Sequence, residues 1–224
     1  MSRTPPQPVW HSAPSSTDLD DATQDSSWRD YGHDDLPAIL GSALECFISQ
    51  GYHGTTIREV AAHAGLSVPG LYYHYASKHA LLVALMSHAM SDLWRRSEQA
   101  LAEAGDSVSR RFDLLIECMV LFHARRRELA FIAFSEIRSL DAEARAEHIA
   151  ARDRQQRLIE DVVRDGARGG EFATPFPREV STALITMCTG VAQWFHPGGA
   201  LSPEDLAQRY RRIARMTVGA APGA

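Results

Sequence analysis

Lysine is nearly absent: of 23 basic residues, 22 are arginine and only Lys78 is lysine. Basic charge is short overall, with 23 Lys and Arg against 28 Asp and Glu, a formal net charge of −5. That argues against a general polyanion binder while leaving room for a local nucleic-acid site. Cysteine is scarce and unpaired. Cys46, Cys118 and Cys188 stand about 70 residues apart, which suits neither a disulfide framework nor a zinc knuckle and reads as buried thiols in a reducing cytosol. Long apolar runs are missing too. The longest, residues 180–195, is interrupted by Ser181, Thr182, Thr186, Thr189 and Gln193 and falls short of the roughly 18 apolar residues of a membrane span. The amino terminus has neither the basic start nor the apolar stretch of a signal peptide, so a soluble cytoplasmic protein is expected. Period-two alternation is also lacking, which argues against sheet.

What is present is helical periodicity in a chain of 224 residues that is 45% hydrophobic, enough for one body plus a small appendage. Residues 1–33 hold Pro5, Pro6, Pro8 and Pro14 and two Arg against five Asp, and read as a disordered acidic tail. Trp10 and Trp28 are unusual there, and either could dock on the body. Leu36, Ile39, Leu40, Ala43, Leu44 and Phe47 then recur at helical steps in a helix expected to begin at Asp34 or Asp35 and to stop at Gly51. Thr56 and Glu59 form a capping-box pattern. Ser67 with Pro69 starts a third helix, and Ser77 a long fourth. Further apolar or mixed helices follow to the end, with starts at Asp141, Pro177 and Ser202–Pro203. The expectation is an all-α fold of about nine helices. It divides into a tail over 1–33, a helix-turn-helix domain over 34–82 and a ligand-binding and dimerisation body over 83–220.

Residues 55–82 carry the functional signal. A helix of about eight residues, a tight turn at Gly65 and a second helix forced by Ser67 and Pro69 make a helix-turn-helix, which can offer its second helix to a major groove. Thr55, Thr56, Ser67, Tyr72, Tyr73, His74 and Lys78 are of the right types for phosphate and base contact. Tyr75 is expected to pack inside the small domain. Tyr72 and Tyr73 could serve either core or surface.

These residues bring in a resemblance. Ala43 and Phe47 before Gly51, Gly54-Thr55-Thr56-Ile57, Arg58-Glu59-Val60-Ala61, Ala64-Gly65-Leu66-Ser67 and Leu71-Tyr72-Tyr73-His74-Tyr75 followed by Ser77-Lys78 resemble the amino-terminal domain of the tetracycline-repressor (TetR) family of bacterial regulators. The resemblance implies that Thr56, Tyr72, His74 and Lys78 touch the DNA backbone. It also implies that Ser67, Val68, Pro69 and Tyr73 meet bases. The departure is Val68-Pro69-Gly70, where many members carry a cation and a further backbone donor. Residues 34–90 contain only Arg58 and Lys78 against four carboxylates, so a shallow salt dependence of DNA binding is expected.

The same resemblance implies a homodimer that binds a palindromic operator, its last two long helices forming a four-helix bundle. Leu184, Ile185, Cys188 and Val191 on one, and Leu206, Tyr210, Ile213 and Met216 on the other, supply apolar faces. Met119, Phe122, His123, Phe131, Phe134, Met187 and Trp194 either line an effector cavity or are simply core. The run Gln193-Trp194-Phe195-His196-Pro197-Gly198-Gly199, followed by Leu201-Ser202-Pro203-Glu204, is similar to the end of a TetR subgroup that responds to acyl-coenzyme A thioesters. Arg138, Arg152 and Arg157 could then take the coenzyme phosphates, or lie on solvated helix faces. No cofactor, metal or membrane partner is expected. Nucleophile motifs, phosphate loops and metal spacings are missing, which argues against an enzyme. A ligand-binding protein of this fold that does not regulate DNA remains the alternative.

Overall fold

A computed structural model describes residues 27–32 and 36–220, and among these there are nine α-helices and no strand. α1 (Ala38–Gln50) begins later than the acidic pair at 34–35. Pro37 sits at its N-cap with extended ψ rather than inside the first turn, and Gly51 at φ +77° ends it. α2 (Ile57–His63) is fixed by the expected capping box, in which Thr56 and Glu59 bond reciprocally. Gly65, at φ +66°, makes the turn into α3 (Val68–His74), capped by the Ser67 hydroxyl with Pro69 in the first turn.

α4 (Lys78–Ala104) joins this small domain to the body. It is followed by α5 (Val108–Arg125), α6 (Arg127–Ser135), a 3-10 turn (Glu136–Ser139), α7 (Ala142–Gly169), α8 (Pro177–Trp194) and α9 (Pro203–Val218). α5 is the axis of the body. Phe112, Leu115, Ile116, Cys118, Met119 and Phe122 are all buried, so it is apolar nearly all round and needs neighbours on every side. It receives them from α4, α7, α8 and α9. Gly166 on α7 allows Phe172 to fold back against Phe112, with ring centroids 5.0 Å apart; a β-carbon there would lie 2.2 Å from the Phe172 ring. The three cysteines are free and buried. No helix among the described residues is long and apolar enough to cross a membrane.

The tail expectation needs correction where the structure describes it. Residues 1–26 and 33 lie outside the described residues, but residues 27–32 pack on the body. Trp28 is 2% exposed and its indole N–H donates to Glu103 at 2.6 Å. Arg29 bridges Glu103 and Glu117 at 2.6 Å each. Arg96, itself buried, donates to the Trp28 and Asp30 carbonyls and stacks on the Tyr31 ring. Counting charge along the segment missed that two large aromatics supply enough apolar area to hold it.

Candidate nucleic-acid interface and effector cavity

Val60, Ala61 and Leu71 are buried between α1, α2 and α3, with Tyr75 half-buried beside them. This leaves the outer side of α3 to solvent. Tyr73 is 87% exposed and Tyr72 48%, while Ser67, Pro69 and His74 are exposed along the same short helix. A tyrosine ring left that far in water serves no core, which settles the open reading of Tyr73 in favour of the surface.

Three expected contacts turn out differently. Thr55 is 2% exposed, and its hydroxyl donates inward to the Cys46 and Gly51 carbonyls at 3.0 and 2.9 Å. It ties α1 to the turn and presents nothing to a ligand. Lys78 also turns inward. Its ammonium donates to the Tyr52 and Thr55 carbonyls at 2.8 and 2.7 Å, reaches His53 at 3.4 Å and lies over the Tyr52 ring. Three donors meet three carbonyls, so the single lysine closes the α1–α2 loop onto the start of α4. Val68 is half-buried against the core and is not a free base reader. Thr56 is exposed, but its hydroxyl already donates to Glu59 at 2.8 Å, and those bonds to Thr56 hold the Glu59 carboxyl below the usual carboxylate range. Of the two basic residues in 36–90, only Arg58 stays exposed.

Among the described residues, hydrogen bonds tie the small domain to the body at the 3-10 turn. His53 in the α1–α2 loop meets the Ser139 hydroxyl at 3.2 Å, and the Asp141 backbone N–H donates to His79 on α4 at 3.2 Å. Both partners lie at the junction of the 3-10 turn with α7.

Behind that junction, α4, α5, α6, α7 and α8 enclose a cavity of about 230 Å³. From the expected ligand set it gathers Met119, Phe122, His123, Phe134 and Arg152. Phe131, Arg138, Met187 and Trp194 lie elsewhere: Phe131 is exposed on α6, Arg138 is exposed in the 3-10 turn, Met187 is half-buried on α8, and Trp194 stacks on Tyr210. Arg157 lines a neighbouring polar groove of about 410 Å³ with Arg164 and Arg178, and that groove shares Asp153 and Gln156 with the cavity. Two cavity residues went unrecognised in the sequence, His148 and Gln155, both over nine-tenths buried. Their signal was there: they sit seven residues apart on the stripe that continues through Ile159 and Val162, polar groups where α7 should be apolar. Burial pushes the His123 imidazole down to about 4 and lowers His148 as well, so both rings are neutral near pH 7.

The expected dimer set also divides. Leu184, Cys188, Val191 and Leu206 are buried within the chain itself and cannot meet a second copy. Ile185 lines the cavity. Tyr210 is half-buried, and Ile213 and Met216 are 44% and 80% exposed. An apolar face read from a helix alone did not distinguish the side that α5 already covers.

A family model described as "Bacterial regulatory proteins, tetR family" matches residues 39–85, and one described as "Tetracyclin repressor-like, C-terminal domain" matches residues 105–218. The chain belongs to the tetR family. As a member, it is 26% identical over 177 residues to the HTH-type transcriptional repressor KstR2 of Mycolicibacterium smegmatis, covering 78% of this chain and 86% of that protein. A tetR-family regulatory protein from Rhodococcus RHA1 superposes with a TM-score of 0.76 at 27% identity, over 83% of this chain and 97% of its own. AibR, solved in complex with isovaleryl coenzyme A and operator DNA, superposes with a TM-score of 0.71 at 26% identity, over 82% of this chain and 98% of its own.

Proposed function

We propose that this tetR-family protein is a cytoplasmic, ligand-responsive repressor that binds a palindromic operator as a homodimer and is released by a small apolar effector, an acyl-coenzyme A thioester. The observation that carries the DNA side is the outer face of α3, where Tyr72, Tyr73 and His74 stand in water with Ser67 and Pro69 beside them. Hydroxyl and ring contacts to phosphates, sugars and thymine methyls then do most of the work that cations do elsewhere. With Lys78 turned inward, fewer phosphates are neutralised and the salt slope is shallow. The Thr56 hydroxyl contributes only if Glu59 releases it.

The dimer face in this reading is the side of α8 and α9 that the chain leaves open: Ala183, Met187, Gly190 and Trp194 with Ile213 and Met216. A two-fold axis there would set the two α3 helices roughly 34–36 Å apart, one turn of duplex. The effector side rests on the cavity and on the isovaleryl coenzyme A bound by AibR. A space of 230 Å³ suits a short acyl group, while Arg152 at the cavity and Arg157 in the adjoining groove are placed for coenzyme phosphates. Filling the cavity would displace α6 and α7, and their junction carries the His53 and Asp141 bonds to the small domain. The effector acts through its different affinity for the two packings.

Retardation of the DNA upstream of the protein's own gene, at low salt, tests the DNA reading. The native protein should shift it, and Tyr73→Ala should weaken binding at least about ten-fold with an unchanged melting temperature. No shift with any genomic fragment would favour a ligand-binding protein that does not regulate DNA.

A further inference from the structure

The polar groups that line the effector cavity are nearly all hydrogen-bond acceptors, because their donors are already taken. His123 Nδ1 lies 2.7 Å from the Met119 carbonyl. A carbonyl only accepts, so the proton is on Nδ1 and the neutral ring presents a lone pair at Nε2. His148 lies on the same wall, and its buried Nε2 has no partner among the described residues.

Gln155 is fixed by a relay. The Ser97 hydroxyl donates to the Leu93 carbonyl at 2.8 Å, so it must accept from the Gln155 amide, whose nitrogen lies 2.8 Å away. The same amide nitrogen also reaches the Met119 sulfur. Gln155 Oε1 is left buried with no partner among the described residues. The α8 wall follows suit: the Thr182, Thr186 and Thr189 hydroxyls donate to the Arg178, Thr182 and Thr186 carbonyls of their own helix and keep only lone pairs. The donor side chains that line the cavity, Arg152 and Gln156, belong to residues that remain at least partly exposed.

We propose that this cavity selects an apolar ligand bearing a hydrogen-bond donor, a hydroxyl group, on the part that enters it, and discriminates against the matching ketone or carboxylate. Buried acceptors with no partner are costly and become satisfied when a donor arrives, whereas a carbonyl would face the Gln155 oxygen and the His123 imidazole lone pair to lone pair. The inference deepens the reading of the cavity as the effector site and rests on it. On the thioester reading it points to a hydroxyacyl thioester over a saturated or oxoacyl one.

The size of the cavity sets the probe. A cavity of about 150 Å³ holds benzene, so 230 Å³ has room for roughly nine non-hydrogen atoms. Titration calorimetry of the full chain with 1-octanol and with 2-octanone, nine such atoms each, reads donor preference without a coenzyme. The alcohol should bind at least about ten-fold tighter. Gln155→Leu should erase most of that difference by weakening the alcohol and not the ketone. Equal or tighter binding of the ketone, or no binding of either, overturns the proposal, and since that comparison uses the native protein it stands even if the variant folds poorly. A parallel series of saturated, 3-hydroxy and 3-oxo acyl-coenzyme A thioesters separates the two readings. If the alcohol is preferred and no thioester binds, the thioester effector fails while the donor rule holds.

Discussion

His123 sits wholly inside the body with its Nδ1 proton on the Met119 carbonyl, and desolvation carries its titration from the ordinary 6.5 to about 4. Between those values the unfolded chain takes up a proton that the folded chain refuses. The stability His123 contributes is therefore complete above pH 6.5 and is lost as pH falls toward 4. Urea melts at pH 7.5, 6.5, 5.5 and 4.5 should show native stability falling by up to about 1.4 kcal/mol per pH unit more than that of His123→Gln across this window. Parallel curves would contradict the assignment. His148 is shifted in the same direction and remains in both proteins, so the difference isolates His123. Single residues were also where the sequence was least legible. Residue type marked Thr55 and Lys78 as phosphate ligands, yet one is buried and the other spends its donors on carbonyls of residues 52, 53 and 55. Nothing in spacing reveals which way a long side chain turns.

At the scale of elements, caps and glycines were legible because they are local chemistry. Ser67, Ser77, Asp141 and Ser202 each cap the helix expected of them, and Gly51 and Gly65 end theirs at positive φ. Of the strap at 27–32 only the docking of Trp28 was legible; its full attachment was not, because it rests on Glu103, Glu117 and Arg96, some 66–88 positions away. It has a measurable consequence. Trp28→Ala removes an indole buried against the body beside α4 and should cost about 3–5 kcal/mol, seen as a fall in melting temperature of roughly 6–20 °C. A shift under about 2 °C would mean that the strap is only loosely attached. The apolar faces of α8 and α9 were legible as apolar, but which side meets α5 and which is open depends on the packing of the whole body.

The whole molecule sets an exposed α3 face and a cavity among α4 to α8 on either side of a bonded junction at Ser139 and Asp141. The all-α fold followed from the helix pattern and the family resemblance. The cavity's acceptor character did not, since it emerges only once each donor is traced to its partner. The proposed function requires the cavity and the α3 face to be coupled. The decisive measurement is the affinity of the native protein for the DNA fragment it retards, at one fixed salt concentration, with and without a saturating acyl-coenzyme A thioester shown by calorimetry to bind. The effector should weaken operator binding by roughly 5–150-fold, and DNA should weaken effector binding by the same factor. An operator affinity unchanged by a bound effector would contradict it.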